Sequence, residues 1–324
     1  MTIAPGLAGR TLIKGHTAGV DLLLLVDPER EVPLTAADVA AVCNRHTGLG
    51  ADGLVRVVRT ASLPGTAAFR DVVPEAEWFL DYYRCDGDPV RGAAAAYGDA
   101  CRLLAAVLDA EGIVPLADGS ALTVGTRGGA RTVTRLAEMW AVDAGPASLA
   151  EVAAPAAGAS AEGWDTAVRI PGLEGDRAAL SLDLAGRHLV VALAEDSELD
   201  AVAPPGAGAA EYTPAPEAAA SLELVVPLGE RVDPDTGDRV GLARVRGLAD
   251  GTGGAVPSAE ACCAVAVALH EWIGADAPTD YLLRLPLGQV GVHVGQAPLA
   301  GETAARDALL LTGTVELVGR IALA

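Results

Sequence analysis

Apolar positions along this chain fall in short runs of strand length, cut by glycine and proline, with three stretches at helical spacing between them. "TLIKGHTAGVDLLLLVDP" (residues 11–28) predicts two strands around a Gly/His turn. "LTAADVAAVCNRH" follows with the apolar spacing of a helix and Thr35 as its N-cap. "GLGADGLVRVV" predicts a tight glycine turn into a strand, and "EWFLDYYRCDGDPV" an aromatic-rich strand closed by an Asp-Gly turn. "YGDACRLLAAVLDAEGI" predicts a helix that stops at Gly112, a residue suited to the left-handed C-cap position. "ALTVGT", "RTVTRLA" and "MWAVDAG" then read as strands in succession.

The second half repeats this style. Strand "HLVVALA" leads into a long Pro/Ala/Gly-rich connection, "AVAPPGAGAAEYTPAPEAAA". Strands "SLELVVPL" and "GLARVRGL" precede a glycine loop, "ADGTGGAV", in which Asp250 reads as a turn residue. "PSAEACCAVAVAL" (257–269) then predicts a turn feeding a helix of small apolar residues, and strands "DYLLRLPL", "VGVHVGQ", "LLLTGT" and "VELVGRIALA" close the chain. Each half thus has several strands around an Ala-rich helix introduced by a loop, which predicts two similar α/β domains. The expected division is 1–120 with about 313–324 in one domain, and 121–312 in the other.

Composition sharpens this picture in a few places. The 324 residues are 51% hydrophobic but only 3% aromatic, so Ala, Val and Leu must fill the core. Ala/Gly/Val/Arg-rich, Lys-poor usage points to a GC-rich bacterial source. A net charge of −20 repels a phosphate backbone, which excludes nucleic acid as a partner and leaves solubility as the reason for the acidity. No apolar run reaches membrane-spanning length, and the N-terminus lacks a signal-peptide pattern. Five cysteines, an odd number without metal-type spacing, predict reduced thiols in a cytoplasm; adjacent Cys262 and Cys263 read as small core residues. A small-molecule substrate is the expected partner.

At "CNRHTGLGADGLVRV" (43–57) the chain resembles the diaminopimelate epimerase family, whose Arg-x-x-Gly-hydrophobic-Gly-Ala-Asp-Gly segment matches Arg45 through Gly53. "KGH" (14–16), "DYYRCDG" (81–87), "VDAG" (142–145), "RG" (246–247) and "LTG" (311–313) match further segments in the same order. The resemblance implies two pseudo-symmetric α/β domains, each a strongly bent mixed sheet around a central helix, and no cofactor or metal. It suggests a homodimer. It also implies a two-cysteine chemistry, in which a thiolate from one domain removes an α-proton and a thiol from the other returns one on the opposite face. Each such cysteine sits at a helix N-terminus, where the dipole and bare N–H groups favour negative charge.

This chain departs from that pattern at both places. The first Cys-Gly-Asn-Gly-x-Arg falls on "YGDACR", with Tyr97 at the cysteine, Gly98 retained, Asp99 at the Asn and Arg102 matching; a later gap would put Ala93 at the cysteine instead. The second loop falls on "SAEA", with Ser258 at the cysteine and Glu260 at a Thr. The substrate clamps change too: Val20, Gly186 and Glu223 replace Asn residues and Val245 replaces a Glu, while His188 and Arg246 are retained. Recognition of the distal end of diaminopimelate is thereby removed.

The candidate catalytic groups are therefore Glu260, Tyr97, Ser258 and His16. Asp99, His188, Glu223, Arg246 and Gly98 are candidates for substrate binding. Each has a structural alternative. Ser258 can serve as an N-cap and Glu260 as a dipole-favoured acid of the first helical turn. Tyr97 can hydrogen-bond an oxyanion or plug the cleft, Asp99 can cap its helix or act as an acid, and His16 sits in the predicted turn. Glu223 faces either solvent or the cleft, by strand alternation. Cys85 is a possible relocated thiol or a strand-end packing residue. Two readings follow: a refitted cofactor-independent isomerase or cyclase of specialised metabolism, and a catalytically inactive paralogue kept as a binding partner.

Overall fold

The computed structural model describes residues 4–92, 96–150, 164–203, 208–216, 219–248, 256–297 and 306–324. The chain divides into two compact units, Met1–Asp143 with Gly313–Ala324, and Ala144–Thr312. The first unit runs past the expected boundary at 120, because the strands that follow its long helix pair back onto its own sheet.

In the first unit the elements are β1 (Thr11–Thr17), β2 (Val20–Val26), α1 (Ala36–Cys43), β3 (Gly53–Arg59), α2 (Ala67–Val72), β4 (Trp78–Arg84), α3 (Gly98–Ala110), β5 (Ala121–Thr126), β6 (Gly129–Leu136) and β7 (Met139–Asp143). Neighbouring strands pair antiparallel (β1/β2), parallel (β2/β3), antiparallel (β3/β4), parallel (β4/β5), then antiparallel twice. Parallel neighbours need a crossover, and α1 and α3 supply the two here. Thr35 caps α1 in a full capping box with Asp38. Gly112 takes positive φ two residues beyond α3, the predicted stop.

The second unit contains β8 (Ser148–Leu149), β9 (Thr166–Arg169), β10 (Asp176–Asp183), β11 (Arg187–Ala192), α4 (Asp196–Ala201), β12 (Glu211–Thr213), β13 (Ala220–Val232), β14 (Arg239–Leu248), α5 (Ala259–Ile273), β15 (Asp280–Leu285), β16 (Gly288–Ala297) and β17 (Arg306–Thr314). The last strand, β18 (Glu316–Ala322), returns to the first unit and pairs antiparallel with β1. From β10 onward the pairing repeats the first unit step for step: β10/β11 antiparallel, β11/β13 parallel, β13/β14 antiparallel, β14/β15 parallel, then antiparallel twice. Even the first turns match. Ala18–Gly19 and Ala185–Gly186 both take positive φ between their strands.

Each repeat centres on one helix. In α3 every residue from Gly98 to Leu108 is buried, and in α5 the same holds from Ala259 to Ala266. A helix buried on all sides has no solvent face and must be wrapped by the sheet. α3 touches β1, β2, β3, β4, β6 and β7, and α5 touches β10, β11, β13, β14 and β16. Small residues in α5 let the strands approach closely. The fold is therefore the expected mixed α/β architecture, with two topologically equivalent units. Not anticipated from the residue pattern were the short α2 and α4, and β8, β9, β10 and β12; β12 lies in the stretch expected to be a plain connection. No helix among the described residues is long and apolar enough to cross a membrane.

Candidate functional site

The repeat makes Tyr97 and Ser258 equivalent: each is the N-cap of its unit's central helix. It makes Asp99 and Glu260 equivalent as well, each the second residue of that helix. The two helix ends are nevertheless built differently.

In the first unit the ring of Tyr97 is 1% exposed and its hydroxyl donates to the Gly92 carbonyl at 3.2 Å, with the Val90 carbonyl at 3.5 Å. That hydroxyl is committed to the preceding loop. Gly98, the first residue of α3, is buried. Asp99 lies inside the first turn of α3, one residue past Gly98, and not at the N-cap position. Its Oδ1 accepts from Thr17 Oγ1 at 2.7 Å and from Arg102 Nη2 at 2.7 Å, the latter one helical turn on. Arg102 is fully buried, so a guanidinium stands directly against this carboxylate.

In the second unit Ser258 caps α5, its Oγ accepting from the Ala261 N–H at 3.2 Å. Glu260 is 1% exposed, and one turn on, where the first unit has Arg102, α5 has Cys263. The charge of Glu260 acts on a histidine of the sheet. His188, retained on β11, is 6% exposed and Glu223, on the parallel neighbour β13, is 1% exposed. His188 Nδ1 lies 3.2 Å from Glu223 Oε1 and 2.8 Å from Ser221 Oγ, and Nε2 lies 3.0 Å from the Leu184 carbonyl. Burial works against the charged imidazole, yet the hydrogen bond and charge of Glu223, the Leu184 carbonyl and the charge of Glu260 outweigh it. The net effect raises the pKa of His188. Glu223 thus points inward, and His188, Glu223 and Glu260 make one electrostatic group within a single unit. Ser221 was not singled out from sequence. Its signal was there, since residues 221 and 223 of one strand share a face.

Other candidates lie elsewhere. Arg246 sits opposite Leu224 in the β13/β14 register, on the face away from Glu223. Its guanidinium donates to the Leu199 and Val202 carbonyls at 3.2 Å each, holding the end of α4. His16 lies inside β1, not in a turn, because the chain reverses at Ala18–Gly19. Its Nε2 is 3.5 Å from Glu316 Oε2. Cys85 is exposed, whereas burial pushes the Cys43 thiol up to about 12. Ala93 and Asp250 fall outside the described residues. Among the described residues no group of His, Cys, Asp and Glu is placed to hold a metal ion.

The most specific sequence motif turns out to be a brace. Arg45 bridges Asp21 (2.7 Å) and Asp52 (2.6 Å), and Lys14 reaches Asp21 at 3.1 Å. Burial raises the Asp21 carboxyl, but Arg45, Asp52 and Lys14 together bring it below its ordinary value; burial and the charge of Asp21 push Asp52 up. A Cβ on Gly48 would stand 2.3 Å from the Ala41 carbonyl oxygen, and one on Gly53 2.4 Å from that of Tyr83. The glycines are there for close backbone approach.

Comparison with known proteins agrees with this architecture. Diaminopimelate epimerase of Mycobacterium avium is 32% identical over 294 residues, covering 88% of this chain and 90% of that protein. The enzyme of that name from Thermobifida fusca is 44% identical over 124 residues, 37% of this chain, and that match spans only 42% of its length. Among solved structures, a Bacillus anthracis phenazine biosynthesis protein of the PhzF family superposes with a TM-score of 0.59 at 11% identity, covering 97% of this chain and 99% of that one. A probable proline racemase from Agrobacterium radiobacter gives 0.56 at 15% identity, covering 97% and 93%. No protein-family model matches the chain.

Proposed function

The chain belongs to the diaminopimelate epimerase family, and from that premise we propose that it is a refitted isomerase or cyclase of bacterial specialised metabolism. In this reading it works without a cofactor on a small molecule other than diaminopimelate, in the cytoplasm. The observation that carries the proposal is the inequality of the two equivalent helix ends. Asp99 is tied to Arg102, and Tyr97 to its loop. Glu260 is followed one turn on by Cys263, where the first helix has Arg102, and its charge acts on the buried His188 of the His188–Glu223 pair.

In this reading Glu260 is the general base. It takes a proton from a carbon acid, is itself protonated, and returns the proton at the same or a neighbouring position. A nearby imidazolium and the α5 N-terminus favour the negative charge that develops on the substrate. Both nitrogens of His188 already face protein groups, so His188 supplies charge and not a proton. One base in one unit suits a proton shift or cyclisation better than inversion, which needs groups on two faces. Ser258 is the helix cap.

The experiment is an NMR survey of small unsaturated, hydroxy and amino acids incubated with the protein. Turnover of any of them should fall about 10²–10⁴-fold in Glu260→Gln, the usual worth of a positioned base, and persist in Ser258→Ala. Activity unaffected by Glu260→Gln overturns the assignment. The plugged first-unit end favours a second reading, a catalytically inactive paralogue. Under it, no carbon acid turns over and Glu260→Gln changes only stability.

A further inference from the structure

The retained histidine of the family has acquired a carboxylate neighbour in this chain, because Glu223 stands where the resemblance places an Asn. The hydrogen bonds around His188 restrict its protonation. Leu184 offers Nε2 a carbonyl oxygen at 3.0 Å, and a carbonyl can only accept, so Nε2 carries a hydrogen. Nδ1 then decides the charge. If Nδ1 is bare, Ser221 donates to it at 2.8 Å, but Glu223 Oε1 at 3.2 Å sets a lone pair against a lone pair unless Glu223 is itself protonated. If Nδ1 carries a hydrogen, both Glu223 Oε1 and Ser221 Oγ accept it, and every contact is favourable.

Among the described residues the Oε2 of Glu223 is buried without a hydrogen-bond partner, so the carboxylate relies on the imidazolium as the imidazolium relies on it. Among the described residues, the charged groups that act most on the ring are Glu223 from β13 and Glu260 from α5. A buried pair of this kind is poor evidence for stability, and removing one member leaves the other uncompensated.

We propose that Glu223 is a positioning residue that keeps His188 as a standing imidazolium, so that an ionised pair, neutral overall, and not an uncharged ring faces the field of Glu260. The inference rests on the function proposed above for its purpose, but its test needs no substrate. The probe is the ring itself: 15N-histidine-labelled protein, with long-range 1H–15N spectra recorded from pH 5 to pH 9. In the wild type one of the five histidines should show both nitrogens protonated at pH 7.5, and His188→Gln should delete that signal. Glu223→Gln should turn it neutral with the hydrogen on Nε2, since Leu184 still accepts there, and Glu223→Asp should restore part of the charged form. A residue that merely packs would not move these shifts.

A wild-type His188 that is neutral at pH 7.5, or one that stays charged in Glu223→Gln, overturns the proposal. Should Glu223→Gln fail to fold, the wild-type titration with the His188→Gln assignment decides alone. A charged His188 in a protein whose Glu260→Gln variant keeps full turnover would leave this inference standing and remove the assignment of the base.

Discussion

Replacing Tyr97 separates the two meanings of the first helix end. If the position is a filled core site, its ring matters and its hydroxyl barely does. Tyr97 is 1% exposed, and truncating a buried aromatic side chain to alanine costs about 3–5 kcal/mol through lost burial and the cavity left behind. The hydroxyl donates at 3.2 Å to the carbonyl of Gly92, an exposed residue to which water can be offered instead. Tyr97→Phe should then cost no more than about 1 kcal/mol, the net worth of an ordinary hydrogen bond. For a unit of this size the alanine variant should melt roughly 6–20 °C lower, at about 2–4 °C per kcal/mol. Urea unfolding followed by tryptophan fluorescence reads both, since the first unit holds Trp78 and Trp140. An alanine variant that loses less than about 1 kcal/mol, or a phenylalanine variant as damaged as the alanine one, refutes the reasoning. The first result would mean that Tyr97 lines open space, and the second that its hydroxyl, not its ring, holds the site.

Two further outcomes follow from buried charge and buried thiols. Arg56 donates to Asp27 and to the Val32 carbonyl, both side chains being buried, so Arg56→Leu strands a carboxylate and should cost about 3–5 kcal/mol at pH 7. Burial alone would raise the Asp27 carboxyl, but Arg56 and two backbone N–H groups hold it below its ordinary 3.8. The stability it contributes is therefore present above that value and lost as pH falls through the lowered one. The gap between variant and wild type in urea midpoints should close in acid, and a constant gap would contradict the account. Among the thiols, Cys85 is exposed and the other four are buried. One thiol should react with an aromatic disulfide reagent in the native protein and five after unfolding; two or more fast native thiols would show that a buried cysteine is accessible.

Much of the fold was legible because the strands are short and punctuated. The Thr35 cap, the Gly112 stop and the Ser258 cap could each be read from one residue and its neighbours, and all are local devices. The boundary at Asp143 was not legible, since it depends on which sheet β5 to β7 join, a long-range matter. His16 was misplaced because the turn residues are Ala18 and Gly19, and an alanine at positive φ carries no sequence signal. For the candidate site, strand alternation left Glu223 two faces, and only the β11/β13 register brought it to His188. The inequality of Asp99 and Glu260 was in principle visible. Arg102 stands three residues after one and Cys263 three residues after the other, but that comparison needs the two helices aligned by their caps.

The central claim, that proton chemistry here has moved from two thiols to one buried carboxylate, is tested most directly by deuterium exchange. Diaminopimelate and a panel of other carbon acids would be incubated in D2O with the wild type, with cysteine-alkylated protein and with Glu260→Gln, and followed by proton NMR. The account predicts no α-proton washout from diaminopimelate, and exchange into another carbon acid that survives alkylation and is lost in Glu260→Gln. Washout of the diaminopimelate α-proton that alkylation abolishes would contradict it.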